Sequence, residues 1–343
     1  MDIWTLLKTT DRPIVFYGTG NGADMMAKIL SSYNKSVSGI FASPNFIRNR
    51  TFLGLPVLSF EECLEKFGSQ MIVLMVFGTS DINVINYARE ISTKCDFYVP
   101  DLLTDENGEP FTPSYLDKHL KEIESAYERL VDERSKEIFK ASIKHRLFAK
   151  LDSLTSSWSN DEDNWKELGI NDNEVFFDAG AYNGDTVKRF CSITNNYEHI
   201  YGVEPDPRSF KKLALSCENL DKVTLINAAL SNVDGETSFT FSKGRGNKKG
   251  GKDIISQRSI DSILNGSRAS IIKYDIEGEE EKGLLGASNT IKNYKPKLIL
   301  SSYHKIDDLW HLPSVLDSIN SNYTYMLRKS ICIPFWDLYY LCK

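Results

Sequence analysis

The stretch VFFDAGAYNGDTV, residues 175–187, decides how the C-terminal half is read. Three apolar residues run into Asp178, and glycines and small residues then turn the chain toward an amphipathic segment. Strand, tight loop and helix N-terminus in that order form a place where proteins hold nucleotides, because the helix start offers free N–H groups. The same order occurs once more, in PIVFYGTGNGADMM at residues 13–26. What surrounds each loop tells them apart.

Beyond the Asp178 loop the next apolar run ends HIYGVEPDP, placing Glu204 where a carboxylate accepts both hydroxyls of a ribose. The following run ends INAALSN, small and uncharged, as a slot for a flat adenine requires. A fourth, IIKYDIEGEEEKGLLGA, carries Asp275, Glu277 and Glu280 to the carboxyl edge of the sheet. Open α/β sheets bind ligands at that edge, beside the point where strand order reverses. The N-terminal loop has Gly18, Gly20 and Ala23 in the pattern G-x-G-x-x-A, but its second strand ends SGIFASPNF, without an acid. A nicotinamide site wants such an acid about 20 residues after the glycines. Two readings stay open there: Gly18 and Gly20 hold a phosphate with Arg48 or Arg50 nearby, or the glycines serve only the turn.

The chain of 343 residues is too long for one ordinary core and suggests two domains and a connector. Residues 1–104 alternate strand and helix as a Rossmann-like parallel α/β accessory domain. Residues 105–170 are rich in charged helices such as LDKHLKEIESAYERLVDERSKEIFKASIKHRLFAKL and form a helical connector, solvated or serving a homo-oligomer contact. Residues 171–343 return to strand–helix alternation and close on the aromatic runs YTYML and LYYLC. That domain is expected to be a doubly wound sheet of seven strands whose last hairpin is antiparallel. A net charge of −6 exerts no general pull on nucleic acid, and no apolar run nears the roughly 20 residues of a membrane span. The opening MDIWTLLKTTDRP lacks the layout of a signal peptide, so a cytoplasmic location is expected. Six scattered cysteines without a CxxC pair suit reduced thiols rather than a disulfide framework or a zinc site.

Five blocks in order, FFDAGAYNGDTV, VEPDPRSFKKL, NAALSNVDGETSF, KYDIEGEEEKGLLGA and KPKLILSSYHKIDDLWHLP, resemble the FkbM family of S-adenosylmethionine-dependent methyltransferases. The resemblance implies a class I methyltransferase fold over residues 171–343. It gives Asp178 and the backbone around Gly180 and Ala181 the aminoacid end of S-adenosylmethionine, within a loop continued by Tyr182, Asn183, Gly184 and Thr186. It gives Glu204, followed by Pro205, the ribose diol, and it borders the adenine with Asn227 and Ala228. Many class I enzymes have a further glycine where this chain has Tyr182, so the cofactor's methionine end is expected to meet a bulkier wall. The family association with O-methylation of sugars makes a sugar, nucleotide sugar or glycan the expected acceptor.

A sugar hydroxyl is a weak nucleophile at neutral pH and benefits from a base or a metal. Asp275, Glu277 and His304 are the expected catalytic residues, and Asp275 with Glu277 would carry Mg²⁺ or another divalent ion if one is used. Glu279, Glu280 and Glu281 read instead as acids opening a helix. Lys305 is a candidate for an acceptor phosphate. The segment FSKGRGNKKGGKD, residues 241–253, reads as a surface loop, or as a lid placing Lys243, Arg245 and Lys248 over a phosphorylated acceptor. Two further readings compete: a non-catalytic binding module of a glycan-assembly complex, and a nicotinamide-dependent oxidoreductase using the Gly18 loop.

Overall fold

The computed structural model describes residues 1–47, 50–194, 196–240, 248–249, 251 and 253–343, the side chains of 240, 248 and 249 excepted. The chain divides into two compact units. One comprises residues 1–121, 136–158 and 329–337; the other comprises 122–135, 159–328 and 338–343.

The first unit is built on β1 (Ile14–Tyr17), β2 (Gly39–Phe41), β3 (Thr51–Phe52), β4 (Leu55–Leu58), β5 (Ile72–Met75) and β6 (Asp96–Tyr98). Their order is β3-β4-β2-β1-β5-β6. Every pairing is parallel except that of β3 with β4. β1 and β5 are buried along their whole length, which is why IVFY and IVLM are unbroken apolar runs. The β3–β4 hairpin was not expected from the sequence. It turns at Leu53-Gly54, both with positive φ, the tight connection that matches strand twist. Helix Phe60–Phe67 begins with a capping box between Ser59 and Glu62, and helix Ile82–Ser92 is capped by Asp81.

The second unit contains β7 (Glu174–Ala179), β8 (Tyr197–Val203), β9 (Val223–Ile226), β10 (Ala229–Leu230), β11 (Gly235–Thr240), β12 (Lys248–Lys249), β13 (Asp253–Arg258), β14 (Ile271–Tyr274), β15 (Lys297–Ser301), β16 (Tyr325–Lys329) and β17 (Leu338–Cys342). Seven of these form one sheet in the order β16-β17-β15-β14-β7-β8-β9. β9, β8, β7, β14 and β15 run parallel, and β17 is antiparallel to β15. Strand order thus reverses between β7 and β14, and the carboxyl ends of those two strands flank the crevice. Phe176 and Phe190 stack with ring centroids 4.5 Å apart inside a core that includes Ile200, Leu213, Ile271 and Leu341. The segment 241–253, read as a surface loop or a lid, lies largely outside the described residues. Strands β10, β11, β12 and β13 form a second sheet in the order β10-β13-β11-β12.

The connector also departs from expectation. Residues 136–158 pack with the first unit, whereas 122–135 and 159–170 belong to the second. Helix Glu133–Phe148 is not a solvated face, for Ser135, Ser142, His145 and Arg146 are all buried. Arg146 lies 3.2 Å from Asp101. Polar residues at buried positions remove the apolar stripe that would have marked this helix as core. Burial lowers the pKa of His145 to about 3, so it is a neutral core histidine. No described helix is long and apolar enough to cross a membrane.

Candidate active site

Asp178 lies at the end of β7 and is fully buried. One carboxylate oxygen accepts from Lys273 Nζ at 3.2 Å and the other accepts from the Thr186 hydroxyl. Lys273 stands opposite it in register on β14. The same ammonium donates to the Gly180 carbonyl at 3.1 Å and lies 3.8 Å from Asp275 Oδ2. Burial works against the charge on Lys273, but Asp178 and Asp275 outweigh it and hold the pKa above the usual lysine value. With no exposed surface and both oxygens engaged, Asp178 shapes the loop through Lys273 and Thr186. The direct grip on a ligand's aminoacid end expected of it is not what this geometry offers.

The loop after β7 is drawn tight by its neighbours. Gly180 and Ala181 both donate to the Val203 carbonyl at 3.0 Å. Gly180 has φ +81°, and a Cβ there would collide with the Asp275 carbonyl, so the loop meets the exit of β14 backbone to backbone. Tyr182 has φ +45° and donates its N–H to Glu204 Oε2 at 2.9 Å. Tyr182 is 51% exposed, and its backbone makes the contact with Glu204. Gly184 adopts the left-handed conformation at the N-cap of helix Asp185–Ile193, and the Asn183 carbonyl accepts from the Ser216 hydroxyl at 2.7 Å.

Glu204 sits just past β8 and is 6% exposed. Its second oxygen accepts from the Asp206 N–H at 2.9 Å. Burial, opposed by these two N–H groups, raises its pKa to about 7. Asn227 donates to the carbonyls of Glu204 and Pro205 at 2.8 and 3.1 Å, pinning this corner from beyond β9, beside the buried Ala228.

At the exits of β14 and β15 the charges are dense. Asp275 Oδ1 accepts from the Tyr303 hydroxyl at 3.0 Å and lies 3.4 Å from His304 Nε2. Glu277, with φ +56°, places Oε2 4.0 Å from the same nitrogen. His304 Nδ1 lies 2.9 Å from Glu280, and Asp308 accepts the backbone N–H groups of His304 and Lys305 at 2.9 and 2.7 Å. Burial opposes the imidazolium, but Glu280, Asp275 and Glu277 raise its pKa to about 10. Asp275 is held below the usual carboxylate range: burial pushes it up, and Lys273 and His304 more than reverse that. Burial, reinforced by Glu280, raises Asp308 to about 7.

Three expectations change here. His304 is an imidazolium at neutral pH and therefore a donor, not the general base. Glu280 is buried and turned back to accept the Ile276 N–H at 2.8 Å rather than merely opening a helix. Asp275 and Glu277 do not suit a hard divalent ion, because the oxygens of Asp275 already face an ammonium and an imidazolium. Among the described residues, the donor group compact enough for a metal is Glu280, His304 and Asp308, which includes neither Asp275 nor Glu277.

The sequence did not single out Lys273, Tyr303 or Asp308. The signal for Lys273 was present in KYD: strand alternation puts residues 273 and 275 on one face. Lys305 is exposed near Gly278. Lys243, Arg245 and Arg48 lie outside the described residues, as does the side chain of Lys248. Gly18 and Gly20 belong to the other compact unit, with φ of +107° and +106°. A Cβ on Gly18 would strike the Phe77 ring, which gives that glycine a packing reason. Where a ribose-binding acid would follow β2, Ser43 instead pairs with the Tyr17 hydroxyl at 2.5 Å.

A parallel sheet reversing at β7 and β14, with an acid past β8 and an antiparallel final strand, defines an S-adenosylmethionine-dependent methyltransferase fold. Residues 178–327 match the model of the methyltransferase FkbM domain. The crystal structure of methyltransferase FkbM from Methylobacillus flagellatus KT superposes with a TM-score of 0.75 at 19% identity, covering 96% of this chain and 90% of that one. That likeness shows the fold. The precorrin-6y C5,15-methyltransferase of Geobacter metallireducens GS-15 gives a TM-score of 0.36 at 12% identity over 52% of this chain and 84% of its own. The fibrillarin of Aeropyrum pernix, solved with natively bound S-adenosyl-L-methionine, gives 0.33 at 10% identity over 52% of this chain and 71% of its own. No curated protein matches the chain.

Proposed function

We propose that the protein methylates a hydroxyl of a sugar, nucleotide sugar or glycan. The observation that carries this reading is the polar cluster at the carboxyl edge, where Asp275, Glu277, Tyr303 and His304 converge. Such a wall suits an acceptor rich in hydroxyls, which needs both donors and acceptors.

S-adenosylmethionine supplies a methyl group on a sulfonium that is already a strong electrophile. The chain's own residues then have alignment and proton handling to perform. Glu204 accepts from the ribose hydroxyls once ionised, and the Gly180–Gly184 loop, braced by Val203 and Asp275, fixes the floor of the pocket. His304 donates from Nε2 toward an acceptor oxygen, while Asp275 and Glu277 accept from its hydroxyl. That proton becomes strongly acidic as the new O–C bond forms, so even a carboxylate as weakly basic as Asp275 receives it late in the step.

Purified protein incubated with labelled S-adenosylmethionine and a panel of nucleotide sugars should transfer label to a hydroxyl. Asp275→Asn should abolish transfer while leaving S-adenosylhomocysteine affinity within about threefold, the split expected of an acceptor-side group. Transfer to an amine or thiol in place of a hydroxyl would overturn the O-methylation reading.

A further inference from the structure

We propose that Lys273 is a positioning residue that sets the shape and charge of the cofactor pocket, by tying the loop after β7 to the exit of β14. The inference rests on the methyltransferase reading of this site.

Lys273 is buried, 6% exposed, on the strand beside β7. Its three contacts reach three parts of the pocket: Asp178 at the end of β7, the Gly180 carbonyl in the loop, and Asp275 on the acceptor side. An unpaired ammonium would not survive at such a depth, and an unpaired carboxylate at Asp178 would not either. Each ion makes the other tenable, and the Gly180 carbonyl is held by the same nitrogen. A residue wanted only for packing at this position would be apolar, like Ile271 and Ile272 before it. The ammonium also lies between the two halves of the reaction: it faces Asp178 and Glu204 on the cofactor side and Asp275 on the acceptor side.

The charged and titratable groups facing this pair come from every neighbouring element. They are Asp185 with Thr186 from the helix after the loop, Glu204 past β8, Cys217 after helix Pro207–Ser216, and Asp275 with His304 from the exits of β14 and β15. Removing Lys273 leaves Asp178 as the fully buried acid among them that loses its nearest cation. It then takes up a proton, and deprotonation at higher pH forces an unpaired charge into the loop.

The test is calorimetric binding of S-adenosylhomocysteine to the full-length protein between pH 6 and 9, for wild type, Lys273→Met and Lys273→Met/Asp178→Asn. Wild type must bind; failure there refutes the methyltransferase reading itself. Lys273→Met is expected to bind at least about tenfold more weakly than wild type, with a ratio that worsens as pH rises. The double variant, which buries neither charge, should lose the worsening toward high pH that marks Lys273→Met. A purely structural loss would weaken binding equally at every pH. The proposal is overturned if Lys273→Met binds within twofold of wild type, or if its deficit is flat with pH. Should the single variant fail to fold, the double variant decides. Recovery of cooperative melting by Asp178→Asn supports charge pairing, and failure to recover overturns it.

Discussion

Glu204 offers the sharpest quantitative expectation. Its carboxyl has a pKa of about 7, against 4.5 for an ordinary glutamate, because it is buried. In the unliganded protein the folded state therefore holds a proton that the unfolded state has released. This favours the fold fully below about pH 4.5 and fades as pH rises through about 7. The full span corresponds to roughly 3 kcal/mol, at about 1.4 kcal/mol per pKa unit. Ribose hydroxyls donate best to the ionised carboxylate, so ligand binding requires that proton to leave. Apparent affinity for S-adenosylhomocysteine should then be about tenfold weaker at pH 6 than at pH 8, since about nine-tenths of Glu204 is protonated at the lower value. Binding at pH 6.5 should release a fraction of a proton, measured as an enthalpy that depends on the buffer's ionisation heat. Glu204→Gln should flatten the affinity profile and abolish the buffer dependence. Asp308 titrates in the same range, and the variant separates the two contributions. Equal wild-type affinity at pH 6 and 8, or a slope that survives in Glu204→Gln, would refute the assignment of both pKa and role.

His304→Gln removes the imidazolium between Glu280 and Asp275 and should slow methyl transfer by at least about 100-fold, with S-adenosylhomocysteine binding changed little; single-turnover kinetics and calorimetry separate the two. Because its pKa lies near 10, the wild-type pH–rate profile should lack a rising limb from His304 near pH 6.5, and one that disappears in His304→Gln would contradict the assignment. Gly180→Ala places a methyl group against the Asp275 carbonyl at φ +81° and should cost at least about 2 kcal/mol in urea unfolding. A cost under about 0.5 kcal/mol would mean the loop yields easily. Tyr182→Gly relieves a left-handed tyrosine and should leave stability unchanged or raise it by up to about 1 kcal/mol; a loss above 2 kcal/mol would show that the ring holds the loop.

Local rules made much of the catalytic fold legible. The run VFFDAG is apolar because β7 is buried on both faces, and its glycine, Gly180, stands where φ is positive. The aromatic runs near the C-terminus become β16 and β17. Legibility failed where a residue's environment is made by distant segments. LPVL looks too short and too proline-marked for a sheet, yet β4 gains its place beside β2. Helix Glu133–Phe148 looks solvated because its buried positions carry Ser, His and Arg instead of Leu. The stretches that become β11 and β13 gave no sign of a second sheet, since their pairing rests on backbone bonds that any side chain permits.

The site divides along the same line. Sequence alone marked Asp178, Glu204, Asp275 and His304, because an acid or a histidine at a strand end is visible from spacing. It could not say which of them are charged, or what each one faces. Lys273 looks like an ordinary strand lysine until β14 pairs with β7 and brings it against Asp178. His304 looks like a base until Glu280, Asp275 and Glu277 close around it and keep it protonated. Residue type and period are local properties, so the chain encodes them openly. Burial and charge pairing depend on contacts between segments far apart in sequence, and only the tertiary structure brings those together.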